Sequence, residues 1–300
     1  RRHRNGNMGF DLIHPYKNLE GNWIRGSFHG HCSENSKCAS VPLAESVRRY
    51  NDIGVGFVTL TDHDVVTDLT AMREMYPGLA VLEGFEYSSR ENVLFAGPRV
   101  NPLYNLSLEE ALHKARNLLT VVCHPRPHAD GRDYWTRQML EELGVWPDGI
   151  EVYNGHYGTK TAVTVGRWPL YSAFWDELLT AGHRLHGYAN DDFHDREDFS
   201  NAFNMVLVKE TTPEAVVNAA KAGQCYASTG LLLNTVKERG GHMVVETDTP
   251  CIGKFVGPEG KVLSISEGTS FEYTAAEESY VRFEGDGDSG LIFLQPMWAN

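Results

Sequence analysis

Two histidines one residue apart, His29-Gly30-His31, close the short apolar run that begins at Trp23. In an extended chain residues i and i+2 point to the same side, so both imidazoles aim at one point just past a strand end, which is the placement a metal ion needs. Ligand-type residues recur behind other apolar runs: Asp62, His63 and Asp64 after Thr61, then Glu86, His124, Asp192 and His194, with Glu151, Asn154 and His156 beside a further run. A mixed imidazole and carboxylate set suits Zn, Mn or Fe, and a glutamate whose two oxygens can bridge is what ions ~3.5–4 Å apart require. Water on such an ion loses a proton near neutral pH, and adjacent cations neutralise phosphoryl oxygens. Hydrolysis of a phosphate ester by metal-activated hydroxide is therefore the natural chemistry, with no Ser, Cys or His covalent nucleophile required.

These residues converge only if the elements before them end at a common face. Apolar runs at 23–28, 54–60, 79–82, 118–123, 148–153, 184–189 and 204–208 read as strands, and Glu86 falls past the end of the third. A short run at 93–96 follows it. Helical patterns near 42–51, 67–76, 107–117, 134–143, 171–180 and 212–222 separate them, with a Ser-x-x-Glu capping pattern at Ser107 and a capping threonine at 211 or 212. Seven strand and helix alternations imply parallel strands joined by right-handed crossovers. Ligands at the exits of successive strands are the arrangement of a (β/α) barrel, whose site forms at the C-terminal face; a doubly wound sheet concentrates its site at one switch point.

The expected organisation is an N-terminal arm over 1–21, a seven-stranded α/β barrel over 22–230, and a small all-β appendage over 231–300. In the last segment short β-like runs alternate with Gly, Pro and Asp. Glu284-Gly285-Asp286-Gly287-Asp288 lacks the spacing of a calcium loop and reads as a solvated hairpin turn.

From about Arg25 to Thr229 the chain resembles the PHP (polymerase and histidinol phosphatase) domain of metal-dependent phosphoesterases. The likeness rests on His29-x-His31, Thr61-Asp62-His63-Asp64, Gly84-x-Glu86, His124-Pro125 and Asp192-x-His194, in that order and each after a strand. It implies a distorted, TIM-like seven-stranded barrel binding two or three divalent ions of Zn, Mn or Fe. By the resemblance His29, His31, Glu86 and Asp192 hold one ion, Glu86 bridges to a second held by His124, and His63 and His194 hold a third, with Asp62 orienting ligands. Two positions depart from the family pattern. An Asp or His is common five residues after the second histidine, where this chain has Ser36 and, nearby, Glu34; a histidine often follows the bridging glutamate, where this chain offers Asn92. Both departures weaken the third ion, and Glu34, Asp64, Asn92 and Glu151 are the candidates for extra or supporting ligands.

Around the metals, Asp62, Arg126 and His156 are the expected catalytic residues. A guanidinium fork matches phosphate oxygens, and Arg126 lies two residues from His124, with Arg90, Arg132 and Lys160 behind it. Tyr153, Tyr157 and Trp135 are candidate pocket walls or core aromatics.

A chain of 300 residues, 41% of them hydrophobic, buries a substantial core. Its formal net charge of −13 disfavours a nucleic-acid partner and leaves local Arg or Lys clusters as the anion sites, while the resemblance implies a small phosphorylated molecule as substrate. No stretch has the length of a membrane span, and the basic start Arg1-Arg2-His3-Arg4 lacks the apolar segment of a signal peptide, so a cytoplasmic protein is expected. Five scattered cysteines without a C-x-x-C pair suggest reduced thiols. Two other function classes share these residues. An amidohydrolase-type barrel also begins with His-x-His but usually needs a bridging lysine where this chain has His124-Pro125. A catalytically degenerate barrel, kept as a metal-binding module with a ligand-binding β domain, would account for Ser36 and Asn92.

Overall fold

The computed structural model describes residues 9–126 and 133–300. Nine strands form the first part of the chain: β1 (Asn22–Ser27), β2 (Phe57–Thr59), β3 (Ala80–Tyr87), β4 (Val93–Gly97), β5 (Leu119–Val122), β6 (Gly149–Asn154), β7 (His186–Asn190), β8 (Phe203–Val208) and β9 (Cys225–Ser228). Between them lie α1 (Leu43–Asp52), α2 (Thr70–Met75), α3 (Leu108–Lys114), α4 (Arg137–Glu142), α5 (Lys160–Thr164), α6 (Ser172–Thr180) and α7 (Pro213–Lys221). The caps are chemical: Ser107 accepts from Glu110 N at 3.2 Å, and Thr212 from Ala215 N at 3.2 Å.

The sheet runs β9-β8-β1-β2-β3-β4-β5-β6-β7. Pairs β1/β2, β2/β3, β5/β6 and β6/β7 are parallel, as strand and helix alternation requires. The all-parallel expectation fails at β4 and β8. Only the five residues 88–92 separate β3 from β4, too few for a crossover, so they form a hairpin, and β4 is antiparallel to both neighbours. That hairpin also extends β3 to Tyr87, which puts Glu86 inside the strand rather than past its end. Gly84 permits the close crossing, since a Cβ there would lie 2.4 Å from Phe95 O. Likewise β8 returns antiparallel to β1, because no α-helix occupies the connection from β7. The path from β8 to β7 therefore holds eight strands, the hairpin strand β4 being the one that alternation does not count.

One buried cluster joins Phe28, Phe57, Leu82, Leu94, Val121, Tyr188 and Val206 from the strands to Val216, Val217 and Ala220 of α7. A second packs Trp175, Leu178 and Leu179 of α6 against Ile150, Val152 and Ala189, and a third holds α1 and α2 on β2 through Val47, Met72 and Val58. These layers clamp the strands on both sides and leave their C-terminal exits as the rigid platform for chemistry.

The remaining strands are antiparallel: β10 (Leu233–Arg239), β11 (His242–Gly257), β12 (Lys261–Thr274), β13 (Tyr280–Gly287) and β14 (Gly290–Phe293). Where short β-like runs are expected, β11 and β12 are strands of 16 and 14 residues, and their pairing shifts register at bulges rather than stopping. Residues 284–288 lie in the β13/β14 hairpin. This part has its own core of Leu233, Val236, Met243, Phe255, Phe271 and Phe283, yet its sheet is continuous with the first through β14 and β9. The N-terminal stretch is tied down by Ile13 pairing with Trp298. On α6, Asp176 receives Arg282 Nε and Nη2 at 2.8 and 2.7 Å and Tyr280 OH at 2.8 Å, a buried ion pair between the two parts. Among the described residues no helix is long and apolar enough to cross a membrane.

Removing one partner of a buried ion pair strands the other charge. Asp176→Ala is expected to lower the unfolding free energy by about 3–5 kcal/mol, and the double change Asp176→Leu with Arg282→Met by much less. Urea titrations compare them, and equal losses would show that the stranded charge is not the cause.

Candidate metal centre

The strand exits keep pairing beyond their last ladder residues. His31 N donates to Phe193 O at 2.8 Å, Thr61 N to Gly30 O at 2.8 Å, and Glu86 N to Asp62 O at 3.0 Å. The first, second, third and seventh exits are thus laced together. Asp64, His124 and Asp192 have φ of 49°, 21° and 50°. Left-handed backbone at non-glycine residues costs ~1–3 kcal/mol each and persists where surrounding contacts impose it. His124 and Asp192 are brought to the centre from such backbone, whereas Asp64 is not.

His29 Nε2 lies 3.0 Å from both Glu86 Oε1 and Asp192 Oδ1, and His31 Nε2 lies 3.1 Å from the same two oxygens. Four donor atoms from four buried residues therefore surround one point. The other oxygen of Glu86, Oε2, faces His124 Nε2 at 3.3 Å. A second grouping, His31, His63 and His194, adjoins the first.

Four of the imidazoles are held from behind, which leaves one nitrogen of each for the centre. His29 Nδ1 contacts Glu151 Oε2 at 2.8 Å, His31 Nδ1 contacts Ser36 Oγ at 3.3 Å, His63 Nδ1 contacts Ser88 Oγ at 2.7 Å, and His194 Nδ1 contacts Asp192 O at 2.6 Å. Such outer partners set the tautomer and orientation of metal-binding histidines.

The carboxylates among the candidates divide by how much of their hydrogen-bonding capacity is free. Asp62 accepts from Cys32 N at 2.9 Å, Ser36 Oγ at 2.5 Å, Cys32 Sγ at 3.2 Å and Thr67 Oγ1 at 2.5 Å. It is saturated, and it anchors the His31 loop through Ser36. Glu151 accepts from His124 N at 2.7 Å, Asn154 Nδ2 at 3.0 Å and Asn190 Nδ2 at 2.9 Å besides facing His29, so it too supports rather than faces the centre. Glu86 Oε2 and His124 Nδ1 are buried with no hydrogen-bond partner.

Protons carry the charge balance in the protein alone. Burial works against a charged His31, but hydrogen bonds to Asp192 and Glu86 outweigh it and push the imidazole up to about 9. Burial likewise opposes charge on His29, which the carboxylates of Asp192 and Glu151 hold well above its ordinary value. Burial would raise Glu86, yet facing His29 and His124 it stays well below the usual carboxylate range. Desolvation lowers His63 and takes His194 well below its ordinary value, so these two remain neutral ligand-type imidazoles. Buried carboxylates facing imidazoles, with Glu86 Oε2 meeting His124 Nε2 at 3.3 Å but making no hydrogen bond, fit divalent cations.

Above the cluster is a cavity of about 220 Å³ whose walls add Cys38, Asn92, Tyr134, Tyr157, Arg167 and His156. His156 Nδ1 is bound to both oxygens of Asp198 at 2.8 and 2.9 Å, which leaves Nε2 free. Arg167 stacks on Tyr157, 4.6 Å from its ring centre. A larger cavity of about 660 Å³, between α6 and strands β11 to β13, has no histidine in its lining.

Several expected site residues lie elsewhere. Arg126 does not reach the cavity: its guanidinium covers Phe174 at 4.4 Å and faces Glu177 at 3.4 Å and Asp133 at 3.6 Å. Glu34 receives Leu43 N at 2.9 Å and starts α1, because its exposed loop runs along that helix end. Asp64 receives Ser88 N at 2.9 Å, and its left-handed backbone turns it from the four-donor point. Arg90 is paired with Glu109 at 2.6 Å, Lys160 is exposed at the start of α5, and Arg132 lies outside the described residues. Trp135 is core, donating Nε1 to Asn92 O at 3.0 Å, whereas Tyr157 is wall. Arg167, Asp198 and Ser88 were not singled out by sequence. Only Arg167, between Gly166 and Trp168-Pro169 in a loop after β6, carried any signal, an arginine in a segment too irregular for a helix face.

No family model and no curated protein matches the sequence. Among solved structures, a two-domain protein from Bacteroides vulgatus containing a predicted PHP-like metal-dependent phosphoesterase aligns over 94% of this chain and 97% of its own, with 17% identity and a TM-score of 0.54. The chain shares the PHP-like fold of that protein. Weaker likenesses are to an amidohydrolase from Chromobacterium violaceum, solved with sulfate and no metal (16% identity, 57% of this chain and 88% of that one, TM-score 0.40), and to PsfC from Pseudomonas syringae (15%, 66% and 88%, TM-score 0.42).

Glu86→Gln keeps the shape of the side chain and removes its charge, so at least one bound metal per chain should be lost. Glu151→Gln, which touches His29 from behind, should weaken metal binding about 10–100-fold. Elemental analysis and Mn²⁺ equilibrium dialysis check both; unchanged binding in both variants would show that the cluster is not the metal site.

Proposed function

We propose that this protein is a metal-dependent phosphoesterase of the PHP type, acting on a small phosphorylated molecule and using two, or with substrate three, divalent ions of Zn, Mn or Fe. The observation that carries the reading is Glu86, one oxygen of which faces His29 and His31 while the other faces His124, the posture of a carboxylate between two ions. His29, His31, Glu86 and Asp192 would hold the first ion, Glu86 and His124 the second, and His63 with His194 a weaker third. Bound there, divalent ions supply an activated water and neutralise phosphoryl oxygens.

The chain's own residues do the remaining work. Asp62 and Glu151 fix His31 and His29. Arg167, which enters the cavity beside Tyr157, takes over the anion-binding role expected of Arg126 and holds a phosphoryl oxygen. His156, its Nδ1 occupied by Asp198, offers Nε2 to the departing oxygen. A cavity of about 220 Å³ favours a compact ester. No lysine lines it, so the bridging lysine of an amidohydrolase-type site has no counterpart among the described residues. Five unpaired cysteines support a reducing, cytoplasmic setting.

Phosphate release from a panel of small mono- and diesters, measured with Mn²⁺ or Zn²⁺ and after chelation, tests the reading. Activity should vanish with the metal and in Asp192→Asn. Arg167→Met should raise KM about 10–100-fold, the worth of one charge-assisted hydrogen bond of ~1.5–3 kcal/mol, while Arg126→Met leaves KM and kcat nearly unchanged. Metal-loaded protein that turns over no ester would overturn the proposal.

A further inference from the structure

Backbone closes the sheet that carries the proposed metal centre only beyond its strand ends, where Gly30 bridges Phe193. β7 itself pairs with β6 on one side, and among the described residues no strand forms a ladder with its other edge. Two side-chain amides stand where that ladder would be. Asn204 of β8 donates Nδ2 to Ala189 O at 2.7 Å and accepts Ala189 N on Oδ1 at 3.0 Å. Gln295, just beyond β14, donates Nε2 to Gly187 O at 2.9 Å and accepts Gly187 N on Oε1 at 2.8 Å. Each amide makes both of the bonds that an opposed strand residue would make. The residues served, Gly187 and Ala189, are two apart and so present the same edge. Both amides are buried, at 0% and 1% exposure.

The same amides lead to the metal centre. Asn204 Nδ2 also donates to Asn190 Oδ1 at 3.1 Å, and Asn190 Nδ2 donates to Glu151 Oε2 at 2.9 Å, the oxygen that holds His29. Asn190 Oδ1 further accepts from Phe28 N at 2.8 Å, next to His29. Two residues past Asn190, Asp192 enters the four-donor point. Gln295 is anchored in turn: its backbone N donates to Tyr16 OH at 2.7 Å, and that hydroxyl donates to Cys225 O at 2.8 Å. The seam therefore joins the C-terminal β region and the N-terminal stretch to the strand that delivers Asp192.

We propose that Gln295 and Asn204 are positioning residues for the metal centre, closing the β7 edge so that metal occupancy and seam closure are thermodynamically linked. This rests on the metal reading above. Linkage is reciprocal: an ion that requires Asp192 and His29 in register tightens the seam, and a loosened seam weakens the ion. It also gives the C-terminal β region a part in the metal site without contributing a ligand.

The test uses the full chain. Gln295→Met keeps the length of the side chain and removes both bonds to Gly187, and Asn204→Leu does the same at Ala189. Tyr280→Phe is the control, since it removes a contact between the β region and α6 that does not touch β7. Hydrogen exchange of residues 186–192 and Mn²⁺ dialysis are read on each protein. Expected are faster exchange of that segment and Mn²⁺ binding about tenfold or more weaker in the Gln295 and Asn204 variants, with Tyr280→Phe near wild type. Unchanged Mn²⁺ affinity in folded Gln295→Met, or an equal loss in Tyr280→Phe, overturns the proposal. Should the variants not fold, the wild-type protein decides alone: Mn²⁺ must slow exchange across 186–192 and around Gln295, and no slowing overturns it. A wild-type chain that binds no Mn²⁺ sinks the metal reading itself, a failure distinguishable from an ion that binds without touching the seam.

Discussion

Three carboxylates, Glu86, Glu151 and Asp192, are buried within reach of one histidine, His29. Ionised carboxylates away from water are tolerated only when paired, and the interior offers them imidazoles rather than lysine or arginine. That requirement for positive charge is what the rest of the structure serves. It explains why the imidazoles nearest the carboxylates are pushed to bind protons, while His63 and His194, farther out, stay neutral. A divalent cation meets the same need with fewer groups, so the architecture reads as a charge hole shaped before the ion arrives.

Holding such a hole open demands rigidity on every side. Ser36 and Asp62 fasten the His31 loop, Asn154 ties Glu151 to Asp192 at 3.0 and 3.1 Å, and Asp191 gathers the loop after β7 through the backbone N–H groups of Ser200, Asn201 and Ala202. Burial pushes the Asp191 carboxyl up to about 6 in spite of those bonds and that of Tyr50. Positive φ at His124 and Asp192 shows where the backbone gives up local preference to aim a side chain at the cluster. The apolar layers under α6 and α7 supply the packing that maintains this strain. Stability and site geometry are thus bound together: the contacts that orient ligands are also those that hold strand exits in register.

The cavity above the cluster is built differently. Its walls come from loops, with Arg167 supported by a tyrosine face and His156 by a carboxylate, so each polar group reaching the cavity has a fixed back and a free front. Arg126, close to His124 in sequence, is held instead over Phe174 among acidic residues. Backbone direction at the positive-φ His124 and at Pro125 separates neighbours that sequence places together. Where a charged side chain finds a nearer aromatic face and a counter-ion, adjacency along the chain says little about the site.

The residues proposed to hold metal were legible in the sequence because each is a polar residue that interrupts or follows an apolar run, and apolar runs report strands through the need to bury them. His29, His31, His63, Glu86, His124, Asp192 and His194 could be marked one by one, and most helices followed from periodicity and caps. The hairpin of β3 and β4, the reversed β8 and the long strands after residue 231 could not, since strand direction and length depend on which edges are free to pair. The supporting roles of Ser36, Asn190, Asn204, Asp198 and Gln295 were equally hidden. These are ordinary polar residues whose function lies in partners far along the chain, 162 positions away for Asn190 and Phe28. Local composition determined which side chains could bind a cation; only three-dimensional closure decided which ones meet, because a hydrogen bond is set by distance and direction in space and leaves no periodic trace along the chain.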